Sequence, residues 1–464
     1  MESVIIIVFV MGYLAITLEH NLKLDKLIPA LIMMAVCWAL VALGVDGFTN
    51  WFDSSKHGLV DGFTAMVHDD KLHLVEETLL HHLGKTAEIL VFLLGAMTIV
   101  EIIDYFDGFS TIKGYVNFKS KKKLLWMFSI LAFILSAIID NLTATIVLIS
   151  ILQKIVKKRE DRIWFAGLTI IAANAGGAFS PIGDVTTTML WIGDKVSTGM
   201  LFTYLFLPSL LCMVVPTFIA TFLPAFRGEI DFDEHEVEKA KSQHSARMLY
   251  LGLGAILFVP IFKTVTHLPP YVGMMLSLAV VATFAEIYSR SKFSLTDFNS
   301  TESDANAHHS PVHHSLSKIE MPSILFFLGI LMAVAALESL GILFNFADNL
   351  KQGIPLIGSE LEGTVVSDLV VILLGVGSAI IDNVPLVAAS LGMFSEGIDN
   401  PLWHFIAFSA GTGGSMLIIG SAAGVVAMGM EKIDFFWYLK KISWLALIGF
   451  LIGSAAFVVL REFV

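Results

Sequence analysis

The residues best able to do chemistry lie in a hexapeptide that occurs twice, Ser-Ala-Ile-Ile-Asp-Asn at 136–141 and again at 378–383. Each copy interrupts an apolar stretch with a carboxylate, Asp140 or Asp382, followed by an amide, Asn141 or Asn383. An ionised aspartate at membrane depth costs about 2.5–3.5 kcal/mol on insertion scales. Asparagine or serine would cap a helix without that cost. Keeping the acid in both copies therefore points to a charge in use. Hard cations are bound by oxygen ligands of this kind. One site that accepts a proton or a cation, but not both, would couple their movements. The plainer alternative is that Asp140 caps the helix that follows it.

Further matches accompany the hexapeptides. Asn174-Ala-Gly-Gly177 corresponds to Gly411-Thr-Gly-Gly414, Gly183 to Gly420, and Phe92-Leu-Leu-Gly95 to Phe326-Phe-Leu-Gly329, in the same order and at slowly drifting spacing. This is an internal repeat. Its glycines permit non-helical torsions. Pro181 cannot donate to a helix ladder, and Pro385 suits the first turn of a restarted helix. Opened backbone is tolerated inside lipid only where it lines a cavity or is buried in protein. The breaks therefore mark a site, with Asp140, Asn141, Thr143, Asn174, Asp184, Asp382, Asn383 and Thr412 as its candidates. Of these, Asp140, Asn141, Asp382 and Asn383 are the candidate ligands of a hard cation. Asp184 reads equally as a cap for the residues after it.

The elements that position these groups follow from composition. The 464 residues are 56% hydrophobic and only 15% charged, with mean hydropathy +0.79. So little charge cannot cover so much apolar surface in water, which excludes an ordinary cytosolic enzyme and a disordered chain. The net charge of −12 leaves no basic footprint for nucleic acid. Cys37 and Cys212 lie in apolar runs and read as core residues. Stretches of spanning length are 4–18, 27–45, 86–104, 163–192, 201–225, 247–265, 271–289, 322–344, 402–430 and 435–460. Met1-Glu2-Ser3 lacks the basic start of a signal peptide, so the first of these is expected to be retained. Two more stretches, 124–153 and 369–395, are broken at their Asp-Asn pairs. Each half has only about 12–16 residues, which suits a re-entrant hairpin rather than a span.

Lysine and arginine bias sets orientation. Lys113, Lys119, Lys121, Lys122 and Lys123 precede 124–153, and Lys154, Lys157, Lys158, Arg159 and Arg162 follow it. Both ends of that hairpin are thus cytoplasmic. Glu360, Glu362 and Asp368 precede the second hairpin, and Glu396 and Asp399 follow it, so its ends face outside. The predicted fold is an all-α polytopic membrane protein, an inverted repeat of about 5+5 transmembrane helices. It has two oppositely oriented re-entrant hairpins and two broken helices. The first repeat covers 1–225, with hairpin 124–153, broken span 163–192 and span 201–225. A cytoplasmic loop follows at 226–246. The second repeat covers 247–460, with a cytoplasmic loop at 290–320, hairpin 369–395 and broken span 402–430.

Other ionisable groups read more plainly. Glu101, Asp104 and Glu338 near span ends suit snorkelling or pairing. His57, His68, His73, His81 and His82 lie in a polar stretch, 46–85, read as a loop that titrates near neutral pH. His308, His309, His313 and His314 fall in another polar loop.

At these motifs the chain resembles the NhaD-type sodium/proton antiporters of the ion transporter superfamily, which also holds arsenite permeases and sodium-coupled dicarboxylate carriers. The resemblance spans about residues 27–460. It rests on Ser-Ala-Ile-Ile-Asp-Asn-Leu-Thr-Ala-Thr145, Ala-Asn-Ala-Gly-Gly-Ala-Phe-Ser-Pro-Ile-Gly-Asp184, Ile-Asp-Asn-Val-Pro385 and Gly-Thr-Gly-Gly-Ser415. The dicarboxylate carriers bear Ser-Asn-Thr at the hairpin tips, and here an acid replaces that serine. The resemblance implies exchange of cytoplasmic sodium or lithium for external protons, by an elevator movement, in a homodimer within the lipid bilayer. It implies no cofactor and no enzymatic activity. Together with the absence of organelle targeting signals, it implies a bacterial inner membrane. The rivals are an anion permease for arsenite or a small carboxylate, an intramembrane aspartyl protease, and an ion-conducting subunit of a respiratory complex. The protease would place both aspartates on spanning helices, and its Gly-x-Gly-Asp sequence is missing around Asp184.

Overall fold

The computed structural model of the chain describes residues 1–17, 22–53, 58–113, 118–230, 244–293, 310–343, 345, 366–380 and 383–464. Asp382, His57, His308, His309 and most of the loops at 226–246 and 290–320 lie outside the described residues. The longer helices are α1 (Glu2–Thr17), α2 (Leu27–Leu43), α3 (His68–Tyr105), α4 (Lys121–Ile139), α5 (Asn141–Ile155) and α6 (Arg159–Ala178). They continue with α7 (Val185–Ile192), α8 (Thr198–Ala220), α9 (Ser245–Thr266), α10 (Pro270–Phe293), α11 (Met321–Ser339) and α12 (Asp368–Ser378). The last are α13 (Asn383–Met393), α14 (Pro401–Gly413), α15 (Ala422–Glu431), α16 (Phe435–Lys441) and α17 (Ser443–Leu460). Among the described residues, seven helices are long and apolar enough to cross a bilayer, and six shorter ones are apolar. The chain is a multi-pass membrane protein. Only 28% of the apolar windows of α9 and α10 is buried, against 61% for α11, so α9 and α10 turn most of their surface to lipid.

The elements differ from expectation at four places, the first being the 435–460 span, which breaks at Ile442 into α16 and α17. Residues 68–85 are the first half of the 38-residue α3 rather than a loop, so His68, His73, His81 and His82 are helical. The polar composition of that half hides it from a hydropathy reading, while its backbone is satisfied internally like any helix. The first arm of the 124–153 pair, α4, has 19 residues rather than 12–16, because Lys121, Lys122 and Lys123 extend it by a charged turn. The 290–320 stretch is not wholly a loop, since α10 runs to Phe293 and His313 and His314 lie on a short helix, Pro311–Lys318.

The helices sort into two groups. The paired helices α4 and α5 pack on α6, the pair α12 and α13 on α14, and α6 packs directly on α14. Helix α15 lies on α5 and α6, α7 lies on α13 and α14, and α8 packs on α17. The other group is α1, α2, α3, α9, α10 and α11, which meets the first through α3 on α7, α9 on α4 and α11 on α13.

Equivalent contacts recur on both sides of the first group. Ser136 Oγ donates to the Ala173 carbonyl at 2.6 Å, and Ser378 Oγ to the Ala410 carbonyl at 2.7 Å. A Cβ on Gly176 would lie 2.1 Å from the Phe133 carbonyl oxygen, and one on Gly413 would lie 2.1 Å from that of Gly375. Both glycines are there because backbone meets backbone. The turns after α6 and α14 then reach the same torsions, with φ −148°, ψ 146° at Asp184 and φ −147°, ψ 153° at Ser421.

Candidate functional site

Asp140 is the hinge between α4 and α5. Its φ of +86° and ψ of 157° fall in a region used almost only by glycine. The geometry bears out a capping role. Oδ1 accepts the Thr143 N–H at 2.8 Å, and Oδ2 accepts the Thr143 hydroxyl at 2.8 Å. Asparagine would make the same cap with less desolvation, so capping alone does not explain an acid held in a costly backbone conformation.

The next residue starts a polar chain between helices. Asn141 Nδ2 donates to Asn174 Oδ1 at 3.0 Å. Asn174, fully buried on α6, donates through Nδ2 to Ser415 Oγ and Ser421 Oγ, both at 2.9 Å. A second chain crosses the other way. Asn383 Nδ2, at the start of α13, donates to Asp184 Oδ2 at 2.9 Å, and the same oxygen accepts the Thr186 hydroxyl at 2.7 Å. Asp184 opens α7, but its side chain makes no capping bond to the helix backbone. It faces α13 instead. Carbonyls freed by the break after α6 are taken by Thr187 Oγ1 on Gly177 and Thr188 Oγ1 on Pro181, as membrane burial requires.

These groups meet in one cavity of about 50 Å³, lined by Asp140, Asn141, Thr143, Asp184, Asn383 and Ala422 from the first helix group. Lys26, Leu93, Met97, Ser323 and Phe327 close it from the second group. A smaller space of about 20 Å³ shares Asp140, Asp184, Leu93 and Met97 with it. A space of 50 Å³ has room for a small cation or a few waters, since one water needs about 10–15 Å³ on this measure. The donors Asn141 and Asn383 leave their amide oxygens as remaining acceptors beside two carboxylates. That is an oxygen-rich set suited to a hard cation.

Of the predicted site residues, Asp140, Asn141, Thr143, Asp184 and Asn383 therefore share a wall, and Asn174 stands one bond behind it. Thr412 is set back, its hydroxyl donating to the Phe408 carbonyl of its own helix at 2.6 Å. The sequence reading missed Ser415, Ser421, Thr186, Lys26 and Ser323. Ser421 carried a signal, because the spacing that pairs Gly183 with Gly420 pairs Asp184 with Ser421.

A loop contact at one end of the first group ties its two parts together. The Asp399 N–H donates to the Lys195 carbonyl at 2.9 Å, and Asp399 Oδ1 accepts the Ser197 N–H at 2.6 Å. Oδ1 also lies 3.3 Å from His404 Nε2. Partial burial works against ionising Asp399, but the His404 ring and the Ser197 N–H outweigh it and hold the carboxyl below the usual carboxylate range. A depressed folded-state pKa gives stability that is present above the unfolded value and lost as pH falls through the folded one. Asp399→Asn is expected to lower stability by about 1–2 kcal/mol at neutral pH. The gap to the unaltered protein should close below about pH 4, as read by thermal unfolding in detergent over a pH series.

Comparison with known proteins gives the family. The family described as citrate transporter (CitMHS) matches residues 6–403. Sodium/proton antiporters 1 and 2 of Arabidopsis thaliana are 40% and 36% identical to this chain over 98% of it, covering 72% and 99% of their own lengths. The Na(+)/H(+) antiporter NhaD of Vibrio parahaemolyticus is 33% identical over 82% of this chain and 91% of its own length. By these matches, the chain belongs to the citrate transporter family and, within it, stands with the NhaD-type sodium/proton antiporters.

Proposed function

We propose that this protein exchanges sodium or lithium for protons, carrying cytoplasmic sodium out as external protons enter. The observation that carries the reading is the pair of carboxylates, Asp140 and Asp184, on the wall of one small cavity. In the sodium-bound state these carboxylates, with the oxygens of Asn141, Thr143 and Asn383, replace the water shell of the ion. In the other state protons occupy the carboxylates and the cation is excluded. Asp382, next to Asn383, is assigned to the same site as a third acid. Asn174 and Thr412 support the wall from behind. The names of the relatives, sodium/proton antiporters from a plant and from bacteria, support the same ions.

The inverted repeat, with units 1–225 and 247–460 joined by the 226–246 loop, is the proposed architecture. The matched serine–carbonyl and glycine–carbonyl contacts of the two parts support it. The α4–α5 and α12–α13 pairs are then the re-entrant hairpins. Because the cavity lies between the two helix groups, movement of the first group against the second would carry the ion, in the manner of an elevator. A homodimer and a bacterial cell membrane complete the reading, with no cofactor and no catalysis.

The family description favours a second reading, a citrate permease. The cavity wall carries two carboxylates, Asp140 and Asp184, against one ammonium, Lys26, so its charge still disfavours a multiply charged carboxylate anion. Everted vesicles or proteoliposomes loaded with a pH-sensitive dye decide between the two. Sodium or lithium is expected to release a preformed pH gradient, while potassium and citrate leave it intact. Citrate uptake without sodium-dependent proton movement would overturn the proposal.

A further inference from the structure

The polar chain through Asn174 does not end at Ser415. Tyr438, fully buried on the short helix α16, donates its hydroxyl to the Ser415 carbonyl at 2.9 Å. That peptide lies in the unwound turn between α14 and α15, and its own side chain receives Asn174. One continuous path therefore runs from Tyr438 through Ser415 and Asn174 to Asn141, the residue beside Asp140. Helix α16 is well anchored for this purpose. Asp434 caps it through the Trp437 N–H at 2.9 Å, and Trp437 packs edge-on against Trp164 of α6 at 5.3 Å. Ile442, just after it, fills the space over Gly167 of α6.

Among the described residues, the other half shows no such tyrosine bond. The spacing that pairs Gly177 with Gly414 sets Tyr438 against Leu201, which is buried and brings no donor. The two unwound turns are therefore unequal. One keeps its backbone carbonyls for its own threonines, and the other gives up the Ser415 carbonyl to a tyrosine.

We propose that Tyr438 is a positioning residue for the ion site, holding the second unwound turn so that Ser415 presents its hydroxyl to Asn174 and Asn174 its oxygen to Asn141. The inference rests on the exchange activity proposed above. Removing the phenol oxygen frees the Ser415 peptide to rotate, loosening Asn174 and the amide next to Asp140. It leaves the ring, and so the packing, in place. The effect should fall on ion binding rather than on the rate of the moving group.

The test uses the purified full-length chain in proteoliposomes, comparing the unaltered protein, Tyr438→Phe, Ser415→Ala and the double variant. Tyr438→Phe is expected to raise the apparent KM for sodium about fivefold with maximal rate within about twofold, the scale of one lost hydrogen bond. In the Ser415→Ala background the same change should add less than about twofold, because the path is already cut. An unchanged KM in Tyr438→Phe would overturn the proposal. So would a fall in maximal rate with loss of thermal stability at constant KM, or full additivity in the double variant. Absence of sodium exchange in the unaltered chain would instead overturn the functional reading, and this inference with it.

Discussion

Asp140→Asn and Asp184→Asn are each expected to abolish sodium-driven proton movement, lowering it at least about 100-fold, which corresponds to about 2.7 kcal/mol. Asparagine preserves shape and most hydrogen bonds at both positions. It can still accept the Thr143 N–H at 140 and the Asn383 amide at 184. What it cannot do is alternate between a charged and a neutral form, and coupling depends on that alternation. Asp140→Gly sharpens the test. The backbone at φ +86° costs an aspartate about 1–3 kcal/mol that glycine does not incur, while the lost cap costs about 1 kcal/mol. The glycine variant should be as thermally stable as the unaltered protein, or more so, and inactive. Flux in proteoliposomes and melting in detergent, measured together, read both halves of this expectation. Unaltered exchange in Asp140→Asn would remove Asp140 from the mechanism.

The second large effect is on folding. Gly176→Ala and Gly413→Ala each place a Cβ 2.1 Å from a backbone carbonyl oxygen on the facing helix, Phe133 for one and Gly375 for the other. A flexible side chain would swing away from such a contact. A helix backbone moves only with its neighbours, so the arm must separate from the broken helix along its length. Overpacking of side chains alone costs about 1–3 kcal/mol, and against backbone the cost should be at least about 3 kcal/mol. Either variant is expected to lose the monodisperse peak in fluorescence-detected size exclusion. Gly254→Ala, on the lipid-facing α9 with open space around its added methyl, should keep it.

These residues also show which parts of the fold were legible in the sequence. The breaks at Asp140-Asn141 and around Gly411–Gly414 stand out because Asp, Asn and clustered Gly interrupt otherwise apolar runs. The first 18 residues of α3 do not, because a helix extending into water looks like a loop to any measure of apolarity. At the site, the two acids and the amides were legible because a polar side chain in an apolar run needs a reason. Ser415 was not, since serine is common in membrane helices and bonds cheaply to its own backbone, and Ser421 was legible only through the repeat spacing that sets it against Asp184. Thr412 shows the same ambiguity in reverse. It looked like a ligand and donates to its own helix. That Asp184 faces Asn383 is a tertiary fact, and one-dimensional spacing contains no statement about it.

The crossed amide bonds have a consequence for biosynthesis. Asn174 finds Ser421 only after 247 further residues have been made, and Asp184 waits 199 residues for Asn383. At about 5–20 residues per second, the longer wait lasts about 10–50 s. During that interval the ribosome has delivered into the bilayer an amide and a carboxylate that each still lack a final partner, although Asn141 and Thr186 are already made. The N-terminal portion must meanwhile keep these groups hydrated, or shielded within the insertion machinery, and it becomes a dry, settled bundle only when the last third of the polypeptide arrives.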